Sequence, residues 1–354
     1  MFKKKLLVVL LFIFTGAGLL AFGLETVKVI NIPDMNLRFA INRNLNKDID
    51  DPITKKELES LKSLYLRGFS IKDLTGLEYA TNLEELRADN NKITDISCLK
   101  TLTKLQVLTL GENLIKDGSA IANFKNLEWL DISNNSMADI SFLAGLTKLN
   151  WLDAYGNGIE NIESLASLKE LSILSLSNNN ISSIKPLSSL TDMQWLDISA
   201  NNISDISPVE KLTDMYEFWA TNNNITSISA VAKLSALDDL NLSNNKIKNI
   251  EPIANLLELQ CLDIANNEVT DISALKNLKN LEWLYINGNQ IKDFSVLKDL
   301  TSLYALWYSG SQNISSFTNS AYVITYNVDN KKSSASNTKE EIETEIEVKE
   351  EKIA

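Results

Sequence analysis

The sequence predicts an α/β repeat solenoid, a right-handed superhelix with a parallel sheet on its concave side and short helical turns on its convex side. Three observations predict this class: an apolar residue returns every 22 positions, a short apolar/polar alternation follows it, and an asparagine recurs at one place in each unit. A fixed internal period of this length is typical of stacked repeats and overrides any domain count based on 354 residues.

The apolar register never shifts over twelve units, which align as LxxLxLxxNxIxDIxxLxxL. The segment xLxLx alternates apolar and polar residues, so it predicts a short strand with one face in the core and the x positions on the concave surface. The leading apolar positions are Leu61, Leu83, Leu105, Leu127, Leu149, Leu171, Met193, Met215, Leu237, Leu259, Leu281 and Leu303.

The recurring asparagine predicts a structural ladder, because a buried amide must be hydrogen-bonded and can bridge the backbones of adjacent turns. The ten positions are Asn91, Asn113, Asn135, Asn157, Asn179, Asn201, Asn223, Asn245, Asn267 and Asn289. Polar residues then precede an apolar LxxL, which predicts short, mostly 3₁₀ turns on the convex side. The expected N-caps are Asp139, Asp205 and Asp271, and the expected first helical positions are Pro186, Pro208 and Pro252.

The remaining segments flank this repeat region, 61–310. Residues 1–23 combine three lysines with an apolar stretch and predict a signal peptide or an uncleaved anchor. Residues 24–60 predict a helical N-terminal cap, with Thr54 and Glu57 as a capping box. Residues 311–330 are expected to form a C-terminal cap whose stretch 321–328 closes the sheet, and 331–354 an acidic tail, disordered or a short helix.

Composition excludes several classes of function. The formal net charge of −12 argues against nucleic acid as a partner, and the absence of histidine excludes catalysis or metal binding by that residue. Cys98 and Cys261 lie more than seven repeats apart in the register, too far for a disulfide, so we expect both to be free.

All six tryptophans fall at concave positions, together with Tyr155 and Tyr285. Exposed aromatic stripes mark binding surfaces, although stacking that merely stabilises the sheet is the alternative. The tryptophans are Trp129, Trp151, Trp195, Trp219, Trp283 and Trp307.

Asp131, Asp153 and Asp197 lie in the neighbouring concave column. Adjacent carboxylates repel each other, and with flanking tryptophans they favour a cationic ligand group, although a solvated acidic face is the plainer reading. Paired carboxylates also suggest glycoside hydrolysis, but they recur here on a flat sheet without a cleft, so we expect no enzyme.

The cap loop carries oxygen-bearing residues at EF-hand spacing, which makes calcium binding there an alternative to a purely structural cap. The candidate ligands are Asn46, Asp48, Asp50, Thr54 and Glu57, with Asp51 in place of the usual turn glycine.

The phrases IPDMNLRFAI, ITKKELESLKSLYL and IKDLTGLEYATNLEEL, with the 22-residue unit over residues 28–325, resemble the internalin-type leucine-rich-repeat proteins of Gram-positive bacteria. The resemblance implies a curved solenoid, a secreted or surface location, and ligand binding on the concave side. It also implies a cap shaped like a truncated EF-hand that keeps its form without metal. The sequence departs from wall-anchored members, since it has no LPxTG motif.

Together these observations predict a secreted or surface-tethered protein that binds a protein ligand, from a host or a cell envelope, through its concave Trp/Asp face. A glycan-binding module on the same face is the alternative, and membrane contact is expected only through an uncleaved N-terminal anchor. The repeat unit is also similar to that of intracellular phosphatase-regulatory proteins, but the export signal argues against such a role.

Overall fold

A computed structural model describes residues 28–309 and the backbone of 322–326. Thirteen strands form one parallel sheet in chain order, which confirms the predicted solenoid. The strands are β1 Ser63–Tyr65, β2 Glu85–Arg87, β3 Val107–Thr109, β4 Trp129–Asp131, β5 Trp151–Asp153, β6 Ile173–Ser175, β7 Trp195–Asp197, β8 Glu217–Trp219, β9 Asp239–Asn241, β10 Cys261–Asp263, β11 Trp283–Tyr285, β12 Ala305–Ser309 and β13 Tyr322–Tyr326.

Successive strands pair in an unbroken register of 22 residues from β1 to β12, so that Trp129 pairs with Trp151 and Asp131 with Asp153. The step to β13 is shorter, since Ala305 pairs with Tyr322, and β13 lies inside the stretch predicted to close the sheet. The predicted signal segment and acidic tail lie outside the described residues. No helix in the described part of the chain is long and apolar enough to cross a membrane.

The leucine columns build one continuous core, because each unit buries its apolar face against the units on either side. The apolar residue at the second position of each strand from β1 to β12, such as Leu130 and Leu152, is fully buried, and so are most of the apolar residues that open the units, such as Leu149. The two cysteines are free, as expected from their separation.

Eleven 3₁₀ turns, confirming the predicted class, cover the convex side of the described repeats. They are Leu77–Tyr79, Ser97–Thr101, Ser119–Asn123, Ser141–Leu143, Glu163–Ser167, Lys185–Ser189, Ser207–Lys211, Ser229–Lys233, Glu251–Ile253, Ser273–Asn277 and Ser295–Asp299.

The predicted caps of these turns are displaced by one residue. An isoleucine occupies the N-cap of the turn at 141–143, and Asp139 precedes it, accepting a 2.8 Å hydrogen bond from the backbone N–H of Ser141. Asp205 and Asp271 make the same bond two residues along the chain, to Ser207 and Ser273. The prediction of N-caps was therefore wrong in position: the carboxylate closes a small Asx turn that leads into the helical turn. The prolines, such as Pro186, stand at the second helical position, where a missing N–H is equally harmless.

The asparagine ladder joins adjacent units as predicted. The Asn179 Nδ2 donates to the carbonyls of Leu176 and Ser177 in its own unit and of Ala154 in the unit before, at 2.9–3.2 Å. Its Oδ1 accepts from the backbone N–H of Ile159 at 2.9 Å. One amide thus satisfies backbone groups on two successive turns, which would otherwise be buried without partners.

The residue before each ladder asparagine has a left-handed backbone, a feature that the sequence analysis did not predict. Asparagine or glycine, which tolerate this conformation, occupies most of these positions, including Asn178 (φ 55°) and Gly156 (φ 67°). Ala200 (φ 52°) and Glu112 (φ 56°) are the exceptions and carry the steric cost of a Cβ in this region.

The N-terminal cap consists of two helices, α1 Met35–Asn44 and α2 Lys55–Ser60. Asp34 caps α1, and Thr54 with Glu57 forms the predicted capping box at the start of α2. Leu37, Ile41 and Leu58 are fully buried, so the helices cover the end of the repeat core that the first unit exposes.

We expect Asn179→Leu to lower the free energy of unfolding by about 1–3 kcal/mol, because the backbone groups that it bridges lose their partners while staying buried. Chemical denaturation measures the effect. Asn180→Leu is the matched control, since the neighbouring Asn180 is exposed and should leave stability nearly unchanged. Equal stabilities of the two variants would contradict the ladder.

We expect Ala200→Gly to raise the stability by up to about 1 kcal/mol, because glycine removes the left-handed strain at that position. Gly156→Ala tests the opposite direction at the equivalent position, where a Cβ would lie 2.9 Å from the Asn134 Oδ1. The midpoint temperature of thermal unfolding should rise for Ala200→Gly and fall for Gly156→Ala. A fall in both variants would rule out backbone strain at Ala200.

Candidate functional site

A stacked and partly exposed pair of tryptophans lies at β4 and β5 on the concave face. The Trp129 and Trp151 rings stack with centroids 4.0 Å apart and an interplanar angle of 14°. Trp129 remains 39% exposed, Trp151 is half-buried, and Tyr155, just beyond β5, is also exposed. Because one face of each ring covers the other, the stack presents its free Trp129 face to β3.

A second aromatic pair lies at β7 and β8, where Trp195 and Trp219 meet edge to face at 5.3 Å. Their indole N–H groups are already engaged: the Trp195 Nε1 donates to the Glu217 carboxylate at 2.7 Å and the Trp219 Nε1 to the Asp239 carboxylate at 3.3 Å. These acceptors were not predicted, although each stands one strand further along the concave face, where register places it within reach.

The aromatic residues at β11 and β12 differ from the prediction. Trp283 and Trp307 are each only 7% exposed and pack with Cys261 and Ala305 into a small cluster apart from the main core. Tyr285 stacks on Trp307 at 4.1 Å. At this end the alternative of stacking that stabilises the sheet fits better than an exposed binding surface, because packing of large rings against small neighbours removes the two tryptophans from solvent.

Each concave aspartate closes a tight turn at the end of its strand. The Oδ1 atoms of Asp131, Asp153 and Asp197 accept from the backbone N–H two residues further on, at 2.8, 2.9 and 2.8 Å. This structural bond was not predicted. It fixes the carboxylates in a row along the concave face, and Asp131 and Asp153 are direct neighbours across the sheet, as predicted.

Burial disfavours the charged form of Asp153, Asp197 and Asp263. Burial raises the pKa of Asp153 to about 6, and the neighbouring charges of Asp131 and Asp197 add to the rise. The hydrogen bond from the Tyr155 N–H acts in the opposite direction and lowers this pKa. Burial likewise raises the pKa of Asp197, and that of Asp263 to about 6. The middle of the concave face therefore holds carboxylates whose charge is poorly solvated.

Charge is unevenly distributed along the concave face. At β1 and β2 the arginines have carboxylate partners: Arg67 pairs with Asp89 at 2.8 Å and Arg87 with Glu85 at 2.6 Å. From β4 to β11 the strand residues and those immediately flanking them include no lysine or arginine. The acidic residues in this stretch are Glu128, Asp131, Asp153, Asp197, Glu217, Asp238, Asp239, Asp263 and Glu282.

The loop that carries the predicted calcium ligands is held by contacts within the cap. The Glu57 carboxylate accepts from the Lys47 Nζ at 2.7 Å and from the Thr54 N–H and hydroxyl, so an ammonium already neutralises it. Asn46, Asp48 and Asp50 are exposed. Within the described residues no three histidine, cysteine, aspartate or glutamate side chains are grouped to hold a metal. These contacts fit a structural cap held by Lys47, and calcium binding at the loop stays a prediction.

Comparison with known proteins finds similarity to leucine-rich-repeat proteins. A family model described as leucine-rich repeats (2 copies) matches residues 81–123, 125–167, 169–211, 213–255, 235–277 and 257–299. The crystal structure of an internalin (inlF) from Listeria monocytogenes is similar to this chain, with a TM-score of 0.81, 36% identity, and coverage of 85% of this chain and 92% of the internalin.

Internalin C2 of Listeria monocytogenes is 30% identical, with a TM-score of 0.52 and coverage of 71% of this chain and all of that one. A plant peptide hormone receptor, RGFR1 in complex with RGF2, shares the fold at 20% identity and a TM-score of 0.59, over 73% of this chain and 49% of the receptor. A comparison with curated proteins found no match.

We expect Asp153→Asn to raise the free energy of unfolding at pH 7.5 by about 1–2 kcal/mol, because it removes a buried charge while the amide oxygen can still accept from Tyr155. The folded-state pKa of about 6 lies above the ordinary value of 3.8, so the folded protein takes up the proton first as the pH falls. The wild type therefore gains stability between pH 6 and about 4, and the advantage of the variant should shrink there.

The control is Asp139→Asn on the convex side, where a hydrogen bond from the Ser141 backbone lowers the pKa of the carboxyl. This variant should gain no stability at pH 7.5. Denaturation curves at pH 7.5 and 4.5 give the free energy of unfolding of each protein. The same difference in this free energy between Asp153→Asn and the wild type at both pH values would refute the burial argument.

Proposed function

Because the chain belongs to the internalin-type leucine-rich-repeat proteins, we propose that it is a secreted or surface-tethered protein that binds a protein ligand on its concave face. The proposal includes no enzymatic step. Carboxylates on the concave strands are each tied to a backbone N–H, and they repeat along an open sheet instead of converging on one bond.

The observation that carries the proposal is the partly exposed stack of Trp129 on Trp151, with Tyr155 and two aspartates beside it. Large aromatic rings next to fixed polar groups are the typical composition of interface hot spots. The plant receptor of the same fold is in complex with the hormone RGF2, so a parallel solenoid of this kind can hold a peptide ligand.

Two features narrow the surface that we propose for the ligand. The cluster of Trp283 and Trp307 is buried, which leaves those rings to stabilise the sheet rather than to anchor a partner. The Trp195 and Trp219 pair is half-buried and its N–H groups have acceptors. The proposed centre of contact is therefore β4 and β5, with the pair at β7 and β8 as a secondary contact.

A glycan ligand on the same face remains the second candidate, because a flat indole beside carboxylates also suits a sugar ring. A glycan array with the full chain distinguishes the two classes. Specific binding to a sugar that is abolished by Trp151→Ala would favour this candidate over a protein ligand.

For a protein ligand, the test starts with capture from host-cell and cell-envelope extracts on the immobilised full chain, followed by identification of the captured protein. We expect Trp151→Ala to weaken binding of that protein by about 2 kcal/mol or more, as truncation of central aromatic anchors commonly does. Calorimetric titration with the purified partner measures the change.

Lys276→Ala serves as the control, since Lys276 is exposed on the convex side and should leave the affinity unchanged. Thermal unfolding of Trp151→Ala is measured in parallel because the ring is half-buried. Undiminished affinity of the folded Trp151→Ala protein would place the ligand elsewhere and refute the proposal.

A further inference from the structure

The row of large concave side chains has a gap at β3, where Thr109 and Gly111 are buried and Val107 is partly exposed. The residues at the three concave positions of this unit are Val107, Thr109 and Gly111, whereas β4 presents Trp129 and Asp131 in the same register. Because Trp151 covers the far face of the Trp129 ring, its free face borders this gap. We refer to the surface formed by these five residues as the β3 notch.

Gly111 makes room for a carboxylate in the notch. A Cβ at this position would lie 2.8 Å from both carboxylate oxygens of Asp131 and 2.7 Å from the Ser133 Oγ, so any larger residue would displace them. The Asp131 carboxylate thus lies directly above the backbone of the β3 unit. Its bonds to the Ser133 N–H and hydroxyl both use Oδ1, which leaves Oδ2 available as an acceptor among the described residues.

The opposite wall of the notch is already neutralised by its own contacts. Arg87 on β2 is bound to Glu85, and Asp89 pairs with Arg67 and accepts from the Thr109 hydroxyl at 2.7 Å. These residues balance two guanidinium groups against two carboxylates. The charge of Asp131 is therefore left without a cationic partner in the notch.

We propose that the β3 notch receives an arginine side chain of the protein ligand, stacked on the free face of Trp129 and bonded to the carboxylate of Asp131. A guanidinium is planar, so it can lie against an indole ring, and its N–H groups match the geometry of a carboxylate. A lysine ammonium is a compact, strongly hydrated charge that cannot make both contacts as well. This inference rests on the proposed function, since it names the group by which the ligand is held.

The surrounding charge supports a cationic occupant. The concave strands from β4 onward add five further acidic residues and no basic ones, so a positively charged segment is attracted along the whole arc. The aromatic ring and the glycine at the notch distinguish this position from the rest of that acidic surface.

The inference is tested with the full chain and three synthetic hexapeptides, of arginine, of lysine and of citrulline, by isothermal titration calorimetry. We expect hexa-arginine to bind about fivefold or more tightly than hexa-lysine at equal charge, because only the guanidinium stacks on the ring. Citrulline, which keeps the planar group but loses its charge, should not bind measurably. Equal affinities for hexa-arginine and hexa-lysine would overturn the proposal, as would the absence of any binding by hexa-arginine.

Two variants locate the site. Trp129→Leu and Asp131→Asn should each weaken hexa-arginine binding by about tenfold, and the asparagine retains an oxygen for the Ser133 bonds. Asp263→Asn is the matched control: Asp263 occupies the same column and makes the same bond two residues along, to Ala265, but lies six strands away. An equal loss of affinity in all three variants would indicate general attraction to an acidic surface and overturn the notch.

Circular dichroism and thermal unfolding establish that each variant is folded. Gly111→Ala adds an independent readout, because it should weaken binding without altering the charge of the protein. Suppose that hexa-arginine fails to bind the wild type, while Trp151→Ala still weakens binding of the protein captured from the extracts. The inference is then wrong and the proposed function stands. If the Trp151→Ala protein keeps its partner, the proposed function itself is wrong.

Discussion

The architecture depends on hydrogen-bonding the backbone groups that become buried where the chain changes direction in each 22-residue unit. Each turn carries N–H and C=O groups into a buried corner where no water is available, and the ladder asparagine supplies the missing partners on two turns at once. Asn179 contacts three carbonyls and accepts from Ile159, and the same set recurs along the solenoid. The left-handed residue before it lets the chain turn into that corner. The strands and 3₁₀ turns follow from this corner, because it fixes where each unit changes direction.

Much of the fold was predictable because periodicity is a property of the whole chain and is not disturbed by local exceptions. The core leucines, the asparagine ladder, the capping box of Thr54 and Glu57 and the convex 3₁₀ turns all follow from residue type and spacing. The caps of the convex turns were misplaced by one residue, because Asp139 is equally suited to an N-cap and to an Asx turn. Only the local dihedral angles distinguish these two uses.

The candidate site was predictable as a face but not as a set of exposed residues. Register places all six tryptophans on the concave side, yet exposure depends on what each ring meets. Trp129 has the smaller Val107 as its partner on β3 and stays open, whereas Trp307 is covered by Tyr285 and Trp283. Likewise, the spacing of Asp131 and Asp153 was foreseen, but their bonds to the backbone were not. The same carboxylates therefore stabilise strand ends and supply the charge of the surface.

Each described element of the solenoid packs only against its neighbours in the series. Each internal unit therefore packs through one interface with the unit before it and one with the unit after it. The hydrogen bonds of each ladder asparagine likewise reach no further than the adjoining unit. Duplication or loss of one internal unit would leave every remaining junction intact. The length of the concave arc can therefore change during evolution in steps of a single repeat, carrying a tryptophan or an aspartate with each step, without redesign of the core.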